Sequence, residues 1–131
     1  MEQENFEKIV KESILDLPEK IRQKMENVAI VIERTPSSEQ LRKTGIRYAG
    51  ALLGLYEGVP QTKWGKGFGG NLPDKITIFQ DSIEKFARTP ETIKELVKNT
   101  VWHEIAHHFG FNEKEVRELE YRRIKSKGRN F

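Results

Sequence analysis

The segment from Thr89 to Gly110 constrains the fold most, because its signals favour a single kind of element. Thr89 is a good helix N-cap, Pro90 fits the first helical turn, and a glycine at 110 is typical of a helix end. Between these signals an apolar stripe recurs at helical spacing, through Ile93, Leu96, Val97, Val101 and Ile105. The segment therefore predicts one long amphipathic helix over residues 90–109.

Local signals predict five other helices. Apolar residues at helical spacing predict a helix near residues 4–16, and Pro18 favours a short helix directly after it. Ser37, with glutamine three residues later, forms a capping-box signal for a helix near 38–44. The remaining two predicted helices are one capped by Asp81 or Ser82 that runs to about Arg88, and one capped by Asn112, with Glu115 three residues on, that runs toward Lys125.

Three apolar segments predict strands. Residues 27–34 contain five consecutive apolar residues, several of them β-branched, and predict a buried strand; the other two segments are 52–58 and 75–80. Helices and strands are mixed without the regular alternation of a parallel α/β fold. The sequence therefore predicts one α/β (α+β) domain over residues 1–131, with helices packed on a small mixed sheet.

Composition limits the compartment and the kind of metal site. The longest nearly apolar run, residues 48–56, is far shorter than the ~20 residues of a membrane-spanning helix. The charged N-terminus has no apolar stretch of the kind found in signal peptides, so we expect a cytoplasmic protein that does not engage membranes. The chain has no cysteine, so a transition metal here would bind through histidine and carboxylate.

All three histidines lie in HEIAHHFGFNE, residues 103–113. Residues four apart share a helix face, so His103 and His107 can direct two imidazole nitrogens at one ion, at the ~2.0–2.1 Å that zinc prefers. Glu104 lies beside them, where a carboxylate can deprotonate a zinc-bound water instead of binding the metal. HExxH also arises by chance, so the motif alone is weak evidence for a metal site. Three further features strengthen the evidence: its placement on a helix, the glycine that ends the helix, and an acid at a suitable distance. Together these features predict a zinc site with Glu104 as the catalytic base.

Glu113 is the candidate third ligand of this site. Gly110 lets the chain leave the helix abruptly, and Glu113 then stands six residues after His107. That spacing matches the HExxHxxGxxH layout of the metzincins, with a carboxylate in place of the third histidine. Two alternatives stay open at this point: Glu113 could be a dipole-favoured acid in the first turn of a helix, or a neighbour could be the ligand, namely Glu115, Glu118 or Glu120.

Structural roles are predicted for the other polar and aromatic candidate residues. His108 is rotated off the ligand line and is predicted to be a packed or hydrogen-bonded core histidine. Trp102 and Phe109 are predicted to be core anchors. Three residues could donate a hydrogen bond to a developing oxyanion, although a structural role is the simpler prediction for each: Arg47, Tyr48 and Tyr56.

The sequence resembles the minimal zincin-like metallopeptidases of bacteria. The resemblance is carried, in order, by NVAIVIERTPS (27–37), LLGLYEGVP (52–60), NLPDKITIF (71–79) and TVWHEIAHHFGFNEKEV (100–116). It implies a compact zincin core around an active-site helix, with zinc on His103 and His107 and Glu104 as the catalytic base. The family commonly has aspartate where this chain has Glu113, so the side chain implied as third ligand is one methylene longer.

Two functions compete on this evidence. The leading one is a zinc-dependent metallopeptidase acting on a peptide or protein substrate. In this hypothesis residues 53–57 form the edge strand that flanks the cleft. The glycine-rich segment 58–74 would be a lid or wall of the cleft and is predicted to be mobile at Gly65–Asn71. The alternative is a metal-binding interaction domain that holds a partner peptide without cleaving it. A nucleic-acid role for the basic tail, residues 121–129, is disfavoured because its lysines and arginines lack interleaved aromatics. A monomer is the simplest expectation.

Overall fold

The computed structural model describes residues 1–58 and 72–110 of the 131-residue chain. Within these residues, five helices and three strands confirm the predicted α/β (α+β) class. In chain order the elements are α1 (Gln3–Leu15), α2 (Glu19–Lys24), β1 (Val28–Glu33), α3 (Ser38–Thr44), a 3-10 turn (Ala49–Ala51), β2 (Gly54–Glu57), β3 (Asp74–Phe79), α4 (Gln80–Phe86) and α5 (Pro90–His108).

Four predictions fall outside the described residues. They are the final helix near residues 112–125, the mobility of Gly65–Asn71, the basic tail at 121–129 and the position of Glu113. That residues 1–131 form a single domain also stays a prediction.

The sheet is mixed, with strand order β1-β3-β2. β1 and β3 are parallel, with Val28 opposite Asp74, whereas β2 is antiparallel to β3, with Tyr56 opposite Ile76. In the described part of the chain, β1 and β2 are therefore the two edges of the sheet. The prediction that β1 is buried is wrong: all six of its residues are half-buried. An edge strand has a neighbouring strand on one side only, and its apolar sequence does not reveal its place in the sheet order.

The long helix α5 packs against α1 and the sheet, and its predicted stripe forms much of the core. A capping box between Thr89 and Thr92 starts the helix, and Pro90 lies in its first turn, as predicted. Four stripe residues are fully or nearly fully buried, namely Ile93, Val97, Val101 and Ile105, while Leu96 is partly buried. Across residues 1–58 and 72–110, no helix has the length and apolar character to span a bilayer.

Two predicted side-chain roles near α4 and α5 differ from the structure. Trp102 is fully buried, as predicted, but Phe109 is 38% exposed, because it is the C-cap residue at which the chain leaves α5.

α4 begins at Gln80, directly after β3, without a side-chain cap. Asp81 instead pairs with Arg34 at 3.1 Å, and Ser82 Oγ donates to Ala49 O at 3.2 Å. The predicted starts of α3, with its Ser37–Gln40 capping box, and of α5 at Thr89 are confirmed, and Pro18 directly precedes α2.

β2 comes unusually close to α5 at Gly54. A Cβ atom at this position would lie 2.6 Å from Thr100 Cγ2 on the helix and 3.3 Å from Thr77 O on β3. Such a contact is far inside van der Waals distance, so a residue without a side chain is required for this approach. The close approach brings the main chain of β2 next to the last two turns of α5.

Candidate active site

The last two turns of α5 present two imidazoles on one exposed face. The ring centroids of His103 and His107 lie 6.3 Å apart, with their planes inclined by 28°. The opposite face of the same turns is anchored by Trp102 and Ile105, which are fully buried. The imidazoles therefore project from a fixed helix into one region, as their spacing of four residues predicts.

Glu104 lies between this imidazole face and the edge strand β2. Its Oε2 accepts a hydrogen bond of 3.2 Å from the main-chain N–H of Tyr56. Leu53 O accepts from Phe79 N, so in this antiparallel pair the main-chain groups of residues 53, 55 and 57 face β3, and those of Gly54 and Tyr56 face outward. An outward-facing amide of the sheet edge thus fixes the Glu104 carboxylate.

The surroundings of Glu104 favour a carboxyl group that holds a proton more readily than usual. Burial raises the pKa of Glu104, whereas the Tyr56 amide and the nearby imidazoles of His107 and His103 act in the opposite direction, and burial has the larger effect. A general base works best when its pKa lies close to the working pH. The raised pKa of Glu104 is therefore in the direction that proton transfer near neutrality requires.

Glu104→Gln should leave the metal-free protein at least as stable as wild type at neutral pH. Because the pKa of Glu104 is raised in the folded state, the stability it contributes is present at low pH and is lost as the pH rises through that folded-state pKa. The glutamine cannot ionise and keeps an oxygen that can accept from Tyr56. The free energy of unfolding can be measured with denaturant on EDTA-treated proteins at about pH 4 and about pH 7. Relative to wild type, the variant should be more stable at the higher pH than at the lower one. A variant that loses ground as the pH rises would contradict this.

Next to Glu104, three side chains meet where the end of α5 faces β2 and the start of β3. Tyr56 Oη donates to Asp74 Oδ2 at 2.6 Å, and the His108 ring stacks on the Tyr56 ring with centroids 3.8 Å apart and planes inclined by 19°. Asp74 Oδ2 also lies 3.8 Å from His108 Nε2. His108 is thus packed, as predicted, but on the surface and not in the core, since its side chain is 40% exposed.

Two of the three suggested oxyanion donors, Tyr56 and Tyr48, are engaged with other side chains. The Tyr56 hydroxyl is engaged with Asp74, and burial together with this partner raises the pKa of Tyr56 above the ordinary tyrosine value. Tyr48 is exposed and lies under Lys85 Nζ, 4.2 Å from its ring centre, against α4. Arg47 is exposed in the segment before the 3-10 turn. These positions favour the simpler structural role for Tyr48 and Tyr56.

His103 and His107 could supply two of the three protein ligands that a catalytic zinc needs. Two imidazoles without sulfur ligands fit zinc or a similar divalent ion. Within residues 1–58 and 72–110, no third histidine or acid completes a metal-binding group with them. The chain leaves α5 through Gly110, which has a φ of 75° as a glycine stop requires, and Glu113 follows outside the described residues.

An apolar groove of about 560 Å³ lies elsewhere, between α1 and β1. Its lining is mainly aliphatic, with two charged residues: Glu7, Val10, Lys11, Ile14, Leu15, Ile30 and Ile32. It contains no histidine and no residue of the α5 face. The lining residues of this groove therefore include none of the described donors of the candidate site.

The sequence was compared with models of known protein families. A family model described as zincin-like metallopeptidase matches residues 25–123, which include the whole sheet, α5 and the position of Glu113. The chain belongs to the zincin-like metallopeptidase family. The match confirms the resemblance noted in the sequence. Among curated proteins, none matches this zincin-like chain.

Sequence reasoning missed two groups at the site of this zincin-like protein. One is the Tyr56 amide that holds Glu104, and the other is Asp74, the partner of the Tyr56 hydroxyl. Alternation along β2 places the Tyr56 side chain on the same side of the sheet as Gly54, toward α5, and this much could be deduced from the pattern. A main-chain donor has no sequence signature, and Asp74 reads simply as the polar start of a strand.

Proposed function

We propose that this zincin-like protein is a zinc-dependent metallopeptidase that hydrolyses peptide bonds in peptide or protein substrates. The position of Glu104 carries the proposal. The carboxylate is partly buried beside two imidazoles and is held by an edge-strand amide. Removing a carboxylate from water costs free energy, so its place beside two potential metal ligands argues for a chemical use.

His103 and His107 would hold the metal, and Glu113 is the proposed third ligand. When bound, zinc polarises the scissile carbonyl and lowers the pKa of a coordinated water to about 7. Zinc is the proposed ion because two imidazoles and one carboxylate form a ligand set of known catalytic zinc sites.

Glu104 would accept the proton of the attacking water and deliver it to the leaving amine. The Tyr56 N–H holds Oε2 of this carboxylate, which restricts its rotation and leaves Oε1 for the water. A base fixed in this way needs little reorganisation when the proton moves.

The outer edge of β2 would bind the substrate in extended form. Since the main-chain groups of Gly54 and Tyr56 face outward, the Gly54 amide and both carbonyls can pair with a peptide strand, while the Tyr56 amide is committed to Glu104. Among the described residues no strand pairs with this edge. A peptide in this position would pass directly beside Glu104.

Metal analysis and a peptide digest test the proposal together. Untagged protein should contain about one zinc per chain and cleave members of a peptide library, and EDTA should remove both properties until zinc is restored. Zinc without cleavage of any peptide would instead favour the metal-binding interaction domain. Protein that binds no divalent ion would contradict both functions. A monomer, a cytoplasmic location and the absence of a nucleic-acid partner remain predictions.

A further inference from the structure

We infer that Tyr56, Asp74 and His108 form a clasp that positions the metal-binding end of α5. These three side chains would set the affinity for zinc without contacting the ion. The inference rests on the proposed metal site and concerns positioning residues, distinct from the proposed ligands and the proposed base.

The first contact of the clasp ties the ligand-bearing turn to the sheet. His108 directly follows His107 in the chain, and its ring lies flat on Tyr56 of β2 at 3.8 Å. The last turn of a helix lacks part of its main-chain hydrogen bonding and tends to fray. A stacked ring one residue from a ligand opposes that fraying at the point where the ligand must stay fixed.

The second contact fixes the platform on which His108 rests. The Tyr56 hydroxyl donates to Asp74 at 2.6 Å, and Asp74 begins β3, the central strand of the described sheet. The Tyr56 ring is thus held by its own strand at one end and by β3 at the other. The main-chain N–H of the same tyrosine holds Glu104, so one residue of β2 orders both the base and the ligand-bearing turn.

The third contact lies at the exit from the helix. The Phe109 ring meets His108 and Tyr56 edge-on, at centroid distances of 5.0 Å and 6.2 Å. Gly110, the last described residue of this segment, follows with a φ of 75° within two residues of the clasp. Holding this exit fixes the starting point of the segment that carries the proposed third ligand.

Zinc affinity of His108 variants tests the clasp, measured on the full chain by competition with a chromophoric chelator. His108→Ala removes the stack and should weaken zinc binding about 10–100-fold, the range found when residues that orient metal ligands are removed. His108→Phe keeps an aromatic face but has no nitrogen to bind a metal, and should restore affinity close to wild type. Tyr56→Phe loses only the hydrogen bond to Asp74 and should fall between the two.

Two measurements separate positioning from general stability. Tyr48→Ala removes an exposed aromatic that packs under Lys85 of α4 and has no recorded contact with the clasp, and it should leave zinc affinity unchanged. Denaturant unfolding of each metal-free variant should show that His108→Ala loses far more zinc affinity than the change in its folding equilibrium can explain.

The possible outcomes are distinct. Wild-type affinity in His108→Ala would overturn the clasp, and so would a His108→Phe variant as weak as the alanine variant, because His108 would then act through its nitrogens. Wild-type protein without zinc affinity would overturn the metal site itself, and this would be evident before any variant is compared. If wild type binds zinc, cleaves no peptide and shows the predicted order of affinities, the clasp is supported while the peptidase proposal fails.

Discussion

Glu104→Gln should lower the rate of peptide hydrolysis about 10²–10⁴-fold, the usual effect of losing a general base. The amide keeps the shape of the side chain and an oxygen that can accept from the Tyr56 N–H, but it cannot take up the proton of the attacking water. Zinc content should stay at the wild-type level, because the proposed ligands are unchanged. Rates should be measured on a cleaved library peptide, with zinc determined on the same samples.

Glu91→Gln is the matched control for this substitution. Glu91 is an exposed acid in the first turn of the same helix, so the change removes the same charge from α5 far from the imidazoles. Its rate should match that of wild type. Hydrolysis that continues undiminished in Glu104→Gln would point to a contaminating protease and leave the enzyme proposal without support.

His107→Ala should abolish stoichiometric zinc and, with it, hydrolysis. A catalytic zinc needs three protein ligands, and two remaining donors bind weakly. The loss should appear as metal-free protein after gel filtration, measured by elemental analysis. His107 is exposed at the end of α5, so its truncation removes little packing, and the metal-free variant should unfold at nearly the same denaturant concentration as metal-free wild type.

Two companion variants sharpen this result. His108→Phe also removes one imidazole from α5, yet it should keep zinc, because the ring of His108 is stacked on Tyr56. Glu113→Ala tests the third ligand by itself, and unchanged affinity would shift attention to Glu115, Glu118 or Glu120. Full metallation of His107→Ala would place the metal site elsewhere in the chain.

Elements with local signals could be predicted from the sequence almost to the residue. The helix predicted over residues 90–109 is observed as Pro90–His108, because a cap, a proline, a periodic stripe and a glycine all act within a few residues. Features that depend on distant partners could not be predicted. The half-burial of β1 reflects its place at a sheet edge, and Asp81 pairs with Arg34, 47 residues away, instead of capping α4.

The candidate site also combines features that local sequence predicts with features that only the tertiary structure shows. The common face of His103 and His107 follows from a spacing of four residues and needs no tertiary information. The contacts around them do need it: Tyr56 and Asp74 lie 18 positions apart in the chain and meet because β2 and β3 pair. The role of Glu113 as third ligand stays a prediction from the spacing of the motif, because its position lies outside the described residues.

The hydrogen bond from Tyr56 to Glu104 has a consequence for how far the motif can be transferred. It joins residues 48 positions apart, so the orientation of the carboxylate belongs to the folded domain and not to the helix. The same HExxH letters grafted onto a helix of another protein would bring two imidazoles together through spacing alone. Without a strand edge as near as the one that Gly54 permits, the grafted glutamate would rotate freely in water. Such a graft would inherit two of the three metal ligands and lack an oriented base.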